Sequence, residues 1–343
     1  MILFLRSTLL VLLSITLMTS CTHTAVSKPG TPQTAPVVTS SLPNPKGFKA
    51  WTIQFKTEAK TRGISEKTLD AFITQVHYVP RVIALDRAQP DATKTFGAYL
   101  ALVLPKSRIT TAQQKFHSHQ TSLTSIGKKY GVQPSFIVAL WAVESDFGRH
   151  MGNFNIIDSI ATLAYEGRRA DFFKNELISA LKMMDQDHFT IADMKGSWAG
   201  AMGQTQFMPS SFLELAVDYD GDHKRDIWKT QEDVFASIAN YLSKRGWKAD
   251  RSWGVEVVLP AHFNPSLIGL KTEKSLTSWS KLGVHPLKGH SLKAPHNTML
   301  SLVQPEKNSR KAYLVTSNYK TLLQWNRSVY FATSVGILSN HIH

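Results

Sequence analysis

From Gly47 onward, apolar residues recur at helical spacing. In "FKAWTIQFKTEAKTRG" Phe48, Trp51, Ile53 and Phe55 fall towards one side of a helix, and Gly63 marks its stop. "SEKTLDAFITQV" follows, with Ser65 placed as the cap and Thr68, Leu69, Phe72, Ile73 and Val76 as its stripe. The spacing predicts one amphipathic helix over 109–130, then a helix with Pro134 in its first turn. "ADFFKNELISALKMMDQ" and "TQEDVFASIANYLSKRG" read as further helices. Beyond Trp253 the period changes. "GVEVVLP", "TMLSLVQP" and "KAYLVTS" are short β-branched runs set off by Pro and Gly, the pattern of a small sheet. From Tyr319 to Leu338 a mixed aromatic and helical texture returns. No solenoid-length repeat appears. The expected fold is mainly α: an N-terminal helical region over 47–110, a helical body over 111–254, a small β-rich insertion over 255–318, and a segment over 319–343 that returns to the body.

What precedes Gly47 has another character. "MILFLRSTLLVLLSITLMTSC" carries one charge, Arg6, then an apolar run to Met18 and small residues before Cys21. That is the architecture of an export signal, short and one-sidedly flanked for a membrane span. Cys21 is the only cysteine, so it forms no internal disulfide and needs another reason for its place. "MTSC" resembles the lipobox of bacterial lipoproteins, with Met18 where Leu is usual. The resemblance implies that 1–21 is a lipoprotein signal peptide, that Cys21 is acylated, and that the body faces the periplasm from the outer membrane, since Thr22 is not the Asp that implies inner-membrane retention. An ordinary cleaved signal with an incidental cysteine is the alternative. Residues 22–46 are rich in Pro, Ser and Thr and read as a flexible tether.

The chain has 343 residues, 43% of them hydrophobic, which is globular composition. Its formal charge of +14 favours polyanionic partners. The charge is spread without a Lys/Arg block, and no RNP, zinc-finger or helix-turn-helix signature is present, so nucleic acid is not an expected partner.

"IVALWAVESDFG" places one acid, Glu144, at the end of an apolar segment. Ile137, Leu140, Trp141 and Val143 wrap much of that helix, so most of it is expected to be buried. Burial and the negative end of the helix dipole both disfavour a carboxylate, and both raise its pKa. Such a group can hold a proton near neutral pH and serve as a general acid, as glycosidases require. The alternative is a partly exposed Glu paired with Arg149. Neither Asp146, two residues on, nor Asp158, beyond a loop, has good spacing for a second catalytic carboxylate. Downstream, "GSWAGAMGQTQFMPSSF" combines small residues that allow close approach with amide side chains suited to sugar hydroxyl and acetamido groups. A tight structural turn accounts for it equally well.

Together, "AVES", "FGRHMGNFNIIDSIATLAYEGRRADFF", "GSWAGAMGQTQFMPSS" and "DYDGDHKRDIW" resemble the membrane-bound lytic murein transglycosylases of the MltB type, in order and spacing over roughly 131–253. The resemblance implies a lysozyme-like catalytic core over 111–254 with Glu144 as the single acid/base, cleaving the MurNAc-GlcNAc bond of peptidoglycan. It implies substrate assistance by the 2-acetamido group and a 1,6-anhydro product, with no catalytic cofactor. It further implies that Tyr99 lines the glycan cleft, that Arg168 and Arg169 meet peptide carboxylates, that Ser197 and Gln206 lie near the reacting sugar, and that Asn326 is a C-terminal cleft residue. Trp325 and Phe331 stand where the family has tyrosines; stacking on sugar faces could survive there. The expected partners are peptidoglycan strands and, through the lipid, a membrane, with the protein a monomer. A non-catalytic peptidoglycan-binding scaffold and a hydrolytic muramidase are the competing readings.

"DYDGDHKRDIWKTQED" sets Asp218, Asp220, Asp222 and Asp226 at alternating positions, as in an EF-hand loop, with the Lys224 carbonyl between the last two. His223 stands where that loop wants Gly, and Lys229 where it wants the bidentate Glu. The resemblance places loop closure later, at Asp233. Crowded carboxylates repel unless a cation joins them, so a structural Ca2+ is expected, against a solvated acidic turn.

Overall fold

The computed structural model describes residues 44–88, 95–307 and 309–343, so the export signal, Cys21 and nearly all of the tether lie outside the described residues. The first helix, α1 (Pro45–Thr61), opens two residues inside the expected tether. The Asn44 side chain accepts from Lys46 N, and Pro45 is preset for the first helical turn. Its inward face is Phe48, Thr52, Phe55 and Ala59, a 4-3-4 spacing that Ile53 misses; Ile53 is 54% exposed, against expectation. In α2 (Glu66–Gln75), Ser65 accepts from Thr68 N as its cap, and Thr68, Leu69 and Phe72 are buried. Two short helices follow, α3 (Pro80–Arg87) and α4 (Phe96–Val103).

The helix expected over 109–130 is two helices, α5 (Lys106–Ser118) and α6 (Gln120–Tyr130), broken at His119. No Gly or Pro marks the break. The bend sets the His119 ring edge-on to Trp141 and Phe235, at centroid distances of 5.9 and 5.4 Å. Next comes α7 (Pro134–Ser145), in which every residue from Phe136 to Ala142 is buried. Helices α5 and α6, together with α11 (Gln231–Lys244) and α14 (Val329–Ser339), pack around it. That enclosure explains a helix apolar on nearly all sides. Burying Trp141 alone contributes about 1.5–3 kcal/mol.

The remaining body contains β1 (Phe154–Asn155), α8 (Ile156–Glu166), α9 (Ala170–Asp187), β2 (Lys195–Gly196) and α10 (Pro209–Leu215), with β1 and β2 paired antiparallel. The insertion is a five-stranded antiparallel sheet in the order β4-β6-β7-β3-β5, built from β3 (Gly254–Val258), β4 (Gly269–Ser275), β5 (His285–Pro286), β6 (Met299–Val303) and β7 (Lys311–Val315). Its own core gathers Val255, Val257, Leu300, Leu302 and Leu314 around Trp279 of α12 (Leu276–Lys281). The chain then returns through α13 (Ser317–Trp325) and α14 to the main core, which runs from Phe48 to Ile342. The fold is mainly α, with helices from both ends of the described residues sharing one core.

Candidate active site

The end of α7 is shaped by an unusual backbone. Asp146 and Phe147 both take the left-handed conformation, φ 51° and 61°, with Asp146 N bonded to Ala142 O and Phe147 N to Trp141 O. Non-glycine residues pay roughly 1–2 kcal/mol each there, so the surrounding contacts must hold the turn. Gln204 and Ser145 supply them. Trp141 Nε1 donates to Gln204 Oε1 at 2.6 Å, Gln204 Nε2 donates to Trp228 O, and Ser145 Oγ donates to Gln204 O while accepting from Gly148 N. The loop after β2 is thereby fastened to the helix that carries Glu144.

Glu144 lies in the last turn of α7, and Trp325 at the end of α13 donates its indole Nε1–H to Oε1 at 2.6 Å. The indole is itself fixed between Tyr241 and Phe207, with ring centroids 4.5 and 5.2 Å away. Burial pushes the Glu144 carboxyl up to about 8, and the Trp325 bond offsets only part of that rise. Glu144 keeps some exposure as a residue, and burial of its carboxyl is the larger influence on its protonation. It forms no ion pair with Arg149, which binds Asp146 at 2.8 Å instead. The alternative reading of a surface Glu–Arg pair is therefore set aside.

The nearby acids are committed elsewhere. Asp146 is also bonded to Arg108 at 3.0 Å and faces His150 at 3.4 Å. Burial alone would raise its pKa, but Arg149 and Arg108 outweigh that and hold it ionised below the usual range. The Asp158 carboxylate accepts from His77 N, and its backbone N–H donates to the side chain of Asn155, the cap of its helix. Each has a structural task, which fits the poor spacing seen in the sequence.

Tyr99, on α4, is buried against Tyr330 at 5.4 Å. Burial pushes its phenol up to about 12, a hydrogen bond with Ser334 pulls it back, and the Glu144 charge adds to the rise, which puts the ring close to the acid. Ser197 is buried, its Oγ accepting from Ala201 N. Gln206, at φ 51°, donates from Nε2 to Met151 O and Gly203 O at 3.1 and 2.9 Å. Gly152 admits this arrangement: at φ 88°, a Cβ there would sit 2.2 Å from Gly196 O. Asn326 caps the end of α13 beside Trp325, with Oδ1 accepting from Ser328 N.

Arg168 and Arg169 both clasp Asp86, which is buried at the end of α3; the Arg169 bond is 2.6 Å. The pair already holds a carboxylate of its own chain. Phe331 is 1% exposed inside α14 and offers no face to a ligand, and Trp325 is 8% exposed, so stacking on sugar by either is corrected. Two contributions escaped the sequence reading: the hydrogen bond from Trp325 to Glu144, and Gln204. Only the pairing of two glutamines in a small-residue loop hinted at Gln204.

In the acidic loop, Asp218, Asp220 and Asp222 bring carboxylate oxygens within 4.8 Å of one another. His223 takes the left-handed conformation that glycine would supply, φ 69°. Lys229 offers no carboxylate. Asp233, from the first turn of α11, accepts from Tyr219 N and Asp226 N at 2.7 and 2.8 Å, bracing both ends of the loop. Its burial raises its pKa, backbone N–H groups lower it, and the charges of Asp220 and Asp218 raise it again, to about 6. Hard oxygen donors facing one another with a braced frame fit a divalent cation.

A transglycosylase SLT domain model matches residues 47–340. The membrane-bound lytic murein transglycosylase B of Escherichia coli strain K12 is 33% identical over 226 residues, 64% of this chain and 60% of that protein; the chain thus spans less than two thirds of that relative. Among solved structures, Pseudomonas aeruginosa SltB3 in complex with NAG-anhNAM-pentapeptide is 41% identical with a TM-score of 0.81, covering 85% of this chain and 78% of that one. The Escherichia coli lytic transglycosylase Slt35 in complex with calcium is 27% identical with a TM-score of 0.72, covering 84% and 91%.

Proposed function

The chain belongs to the transglycosylase SLT domain family, and from that premise we propose that it is a peptidoglycan lytic transglycosylase cleaving the β-1,4 bond between MurNAc and GlcNAc. The observation that carries the reading is the desolvated Glu144, raised to about 8, with Asp146 and Asp158 both engaged in structural bonds.

The steps follow from that environment. Protonated at neutral pH, Glu144 donates its proton to the glycosidic oxygen as the C1–O4 bond breaks. The Trp325 N–H then stabilises the carboxylate left behind. With no second carboxylate in the role of nucleophile, the substrate's 2-acetamido group meets the developing charge at C1. The 6-hydroxyl attacks C1 and returns its proton to Glu144, which closes a 1,6-anhydro ring and regenerates the acid. No water is consumed.

Tyr99, Ser197, Gln206 and Asn326 are assigned to the glycan cleft, with Arg168 and Arg169 bordering it through their clasp on Asp86. No catalytic cofactor is needed. Asp218, Asp220 and Asp222, with the Lys224 carbonyl and Asp233 closing the loop, would hold a structural Ca2+. The relative's description as membrane-bound, together with Cys21, supports a lipoprotein of the outer membrane that faces the periplasm and acts as a monomer. No described helix is long and apolar enough to cross a membrane.

Digestion of purified sacculi with mass analysis of the released muropeptides tests this reading. Anhydro ends are expected; reducing ends would mean a muramidase, and no release a binding scaffold.

A further inference from the structure

The loop that supports Gln206 has a second face. A cavity of about 320 Å³ opens there, walled by Met151, Phe189 and Trp228 and edged by Lys195, Lys224 and Lys229. Among the described residues none of the three ammonium groups forms an ion pair; Lys224 lies over the Phe189 ring, 4.5 Å from its centroid. Asp193 and Asp226 complete the rim. Asp193 is fixed by Thr190 N and Oγ1 at 2.9 and 2.6 Å, and Asp226 by the backbone N–H of Trp228 and Lys229 at 2.8 and 2.9 Å.

Three positive and two negative charges thus surround an aromatic wall. A phosphate or a nucleic acid would meet the aspartates unfavourably. The complement is a ligand with carboxylates, an ammonium group and an aliphatic stem between them, which is the chemistry of a peptide containing a diamino acid.

The cavity is placed to receive such a peptide. Met151 O accepts from the side chain of Gln206, assigned above to the glycan cleft, and Gly152 packs directly on Gly196 and Ser197. One short loop therefore separates the sugar-binding residues from the lysine-rimmed cavity. Arg168 and Arg169 direct their guanidinium nitrogens to Asp86, whereas Lys224 and Lys229 feel the Asp193 charge without a direct ion pair to it.

We propose that the cavity walled by Phe189 and Trp228 and rimmed by Lys195, Lys224 and Lys229 binds the carboxylate-bearing stem peptide of the glycan strand, and so favours uncleaved, peptide-bearing substrate. This rests on peptidoglycan being the substrate.

The test compares wild type with the double variant Lys195→Glu, Lys229→Glu, and with the milder Lys195→Gln, Lys229→Gln, on two substrates. One is glycan strands with their stem peptides; the other is the same strands stripped by an amidase. On peptide-bearing strands the charge-reversed variant should lose about tenfold in kcat/KM through KM, while on stripped strands it matches wild type. An equal loss on both substrates, or none on either, overturns the proposal. A separate titration uses the synthetic tetrapeptide L-alanyl-γ-D-glutamyl-meso-diaminopimelyl-D-alanine alone, followed by tryptophan fluorescence and calorimetry. Wild type should bind it at millimolar concentration and both variants more weakly; no binding by wild type overturns the assignment. If wild type cleaves neither substrate, the lytic reading fails and the titration still decides the cavity.

Discussion

Trp325 Nε1 lies 2.6 Å from Glu144 Oε1, a hydrogen bond between residues 181 positions apart in the chain. It joins α13 to the end of α7, so the acid depends on a helix that follows the whole sheet insertion. The bond stabilises the ionised carboxylate, while burial disfavours it more strongly.

This balance fixes the pH profile. Glu144 must be protonated to donate, and its pKa stands near 8. The kcat/KM of the free enzyme should therefore be flat through neutral pH and fall tenfold per unit above about pH 8. In Trp325→Phe the carboxylate loses its donor, its pKa rises further, and the alkaline limb should move to higher pH. An alkaline limb left in place in Trp325→Phe would separate Glu144 from the observed titration.

Glu144→Gln should lose at least about a hundredfold in kcat while keeping the fold and sugar binding. Its stability has a definite sign. A carboxyl whose folded pKa is raised binds more protons in the folded state between pH 4.5 and about 8, so wild-type stability falls as pH rises through that window. The neutral amide avoids this loss. Glu144→Gln should be the more stable protein above pH 8, by on the order of a few kcal/mol and with a higher Tm, and the difference should narrow towards pH 4.5. Thermal melts across that range would show it.

Gln204 holds the catalytic turn from outside. Gln204→Ala would leave Trp141 Nε1 without its acceptor and Trp228 O without its donor in the interior. A loss of about 2–4 kcal/mol is expected from two such bonds, read as a lower midpoint in urea unfolding. Activity should fall as well, since the left-handed turn after Glu144 would lose its brace.

The acidic loop should bind Ca2+ and gain stability from it, since Asp218, Asp220 and Asp222 face one another within 4.8 Å. Removing metal with EDTA should lower Tm, and added Ca2+ should restore it in a concentration-dependent way. Asp220→Asn should weaken the dependence. Catalysis below the melting range should be unaffected by either treatment.

Much of this was legible along the chain because the signals are local. Ser65 and Pro134 mark helix starts through backbone chemistry confined to one turn, and the β-branched runs beyond Trp253 become strands of the sheet. The apolar wrapping of Ile137 to Val143 correctly implied a helix enclosed on most sides. What escaped depends on partners distant in sequence. The break at His119 answers to the rings of Trp141 and Phe235, not to any breaker of its own. Strand β4, "GLKTEKS", is polar enough to hide at a sheet edge. Arg168 and Arg169 could not be matched with Asp86, 82 residues upstream of the first of them. Phe331, whose side the sequence left open, lies in the core because α14 turns it inward.

The most direct test of the central claim is a digestion of sacculi in water enriched in oxygen-18. If the 6-hydroxyl is the nucleophile and Glu144 the only acid/base, the released muropeptides carry 1,6-anhydro ends without label. One labelled oxygen at C1 for each bond cut would contradict it, because water would then be the nucleophile.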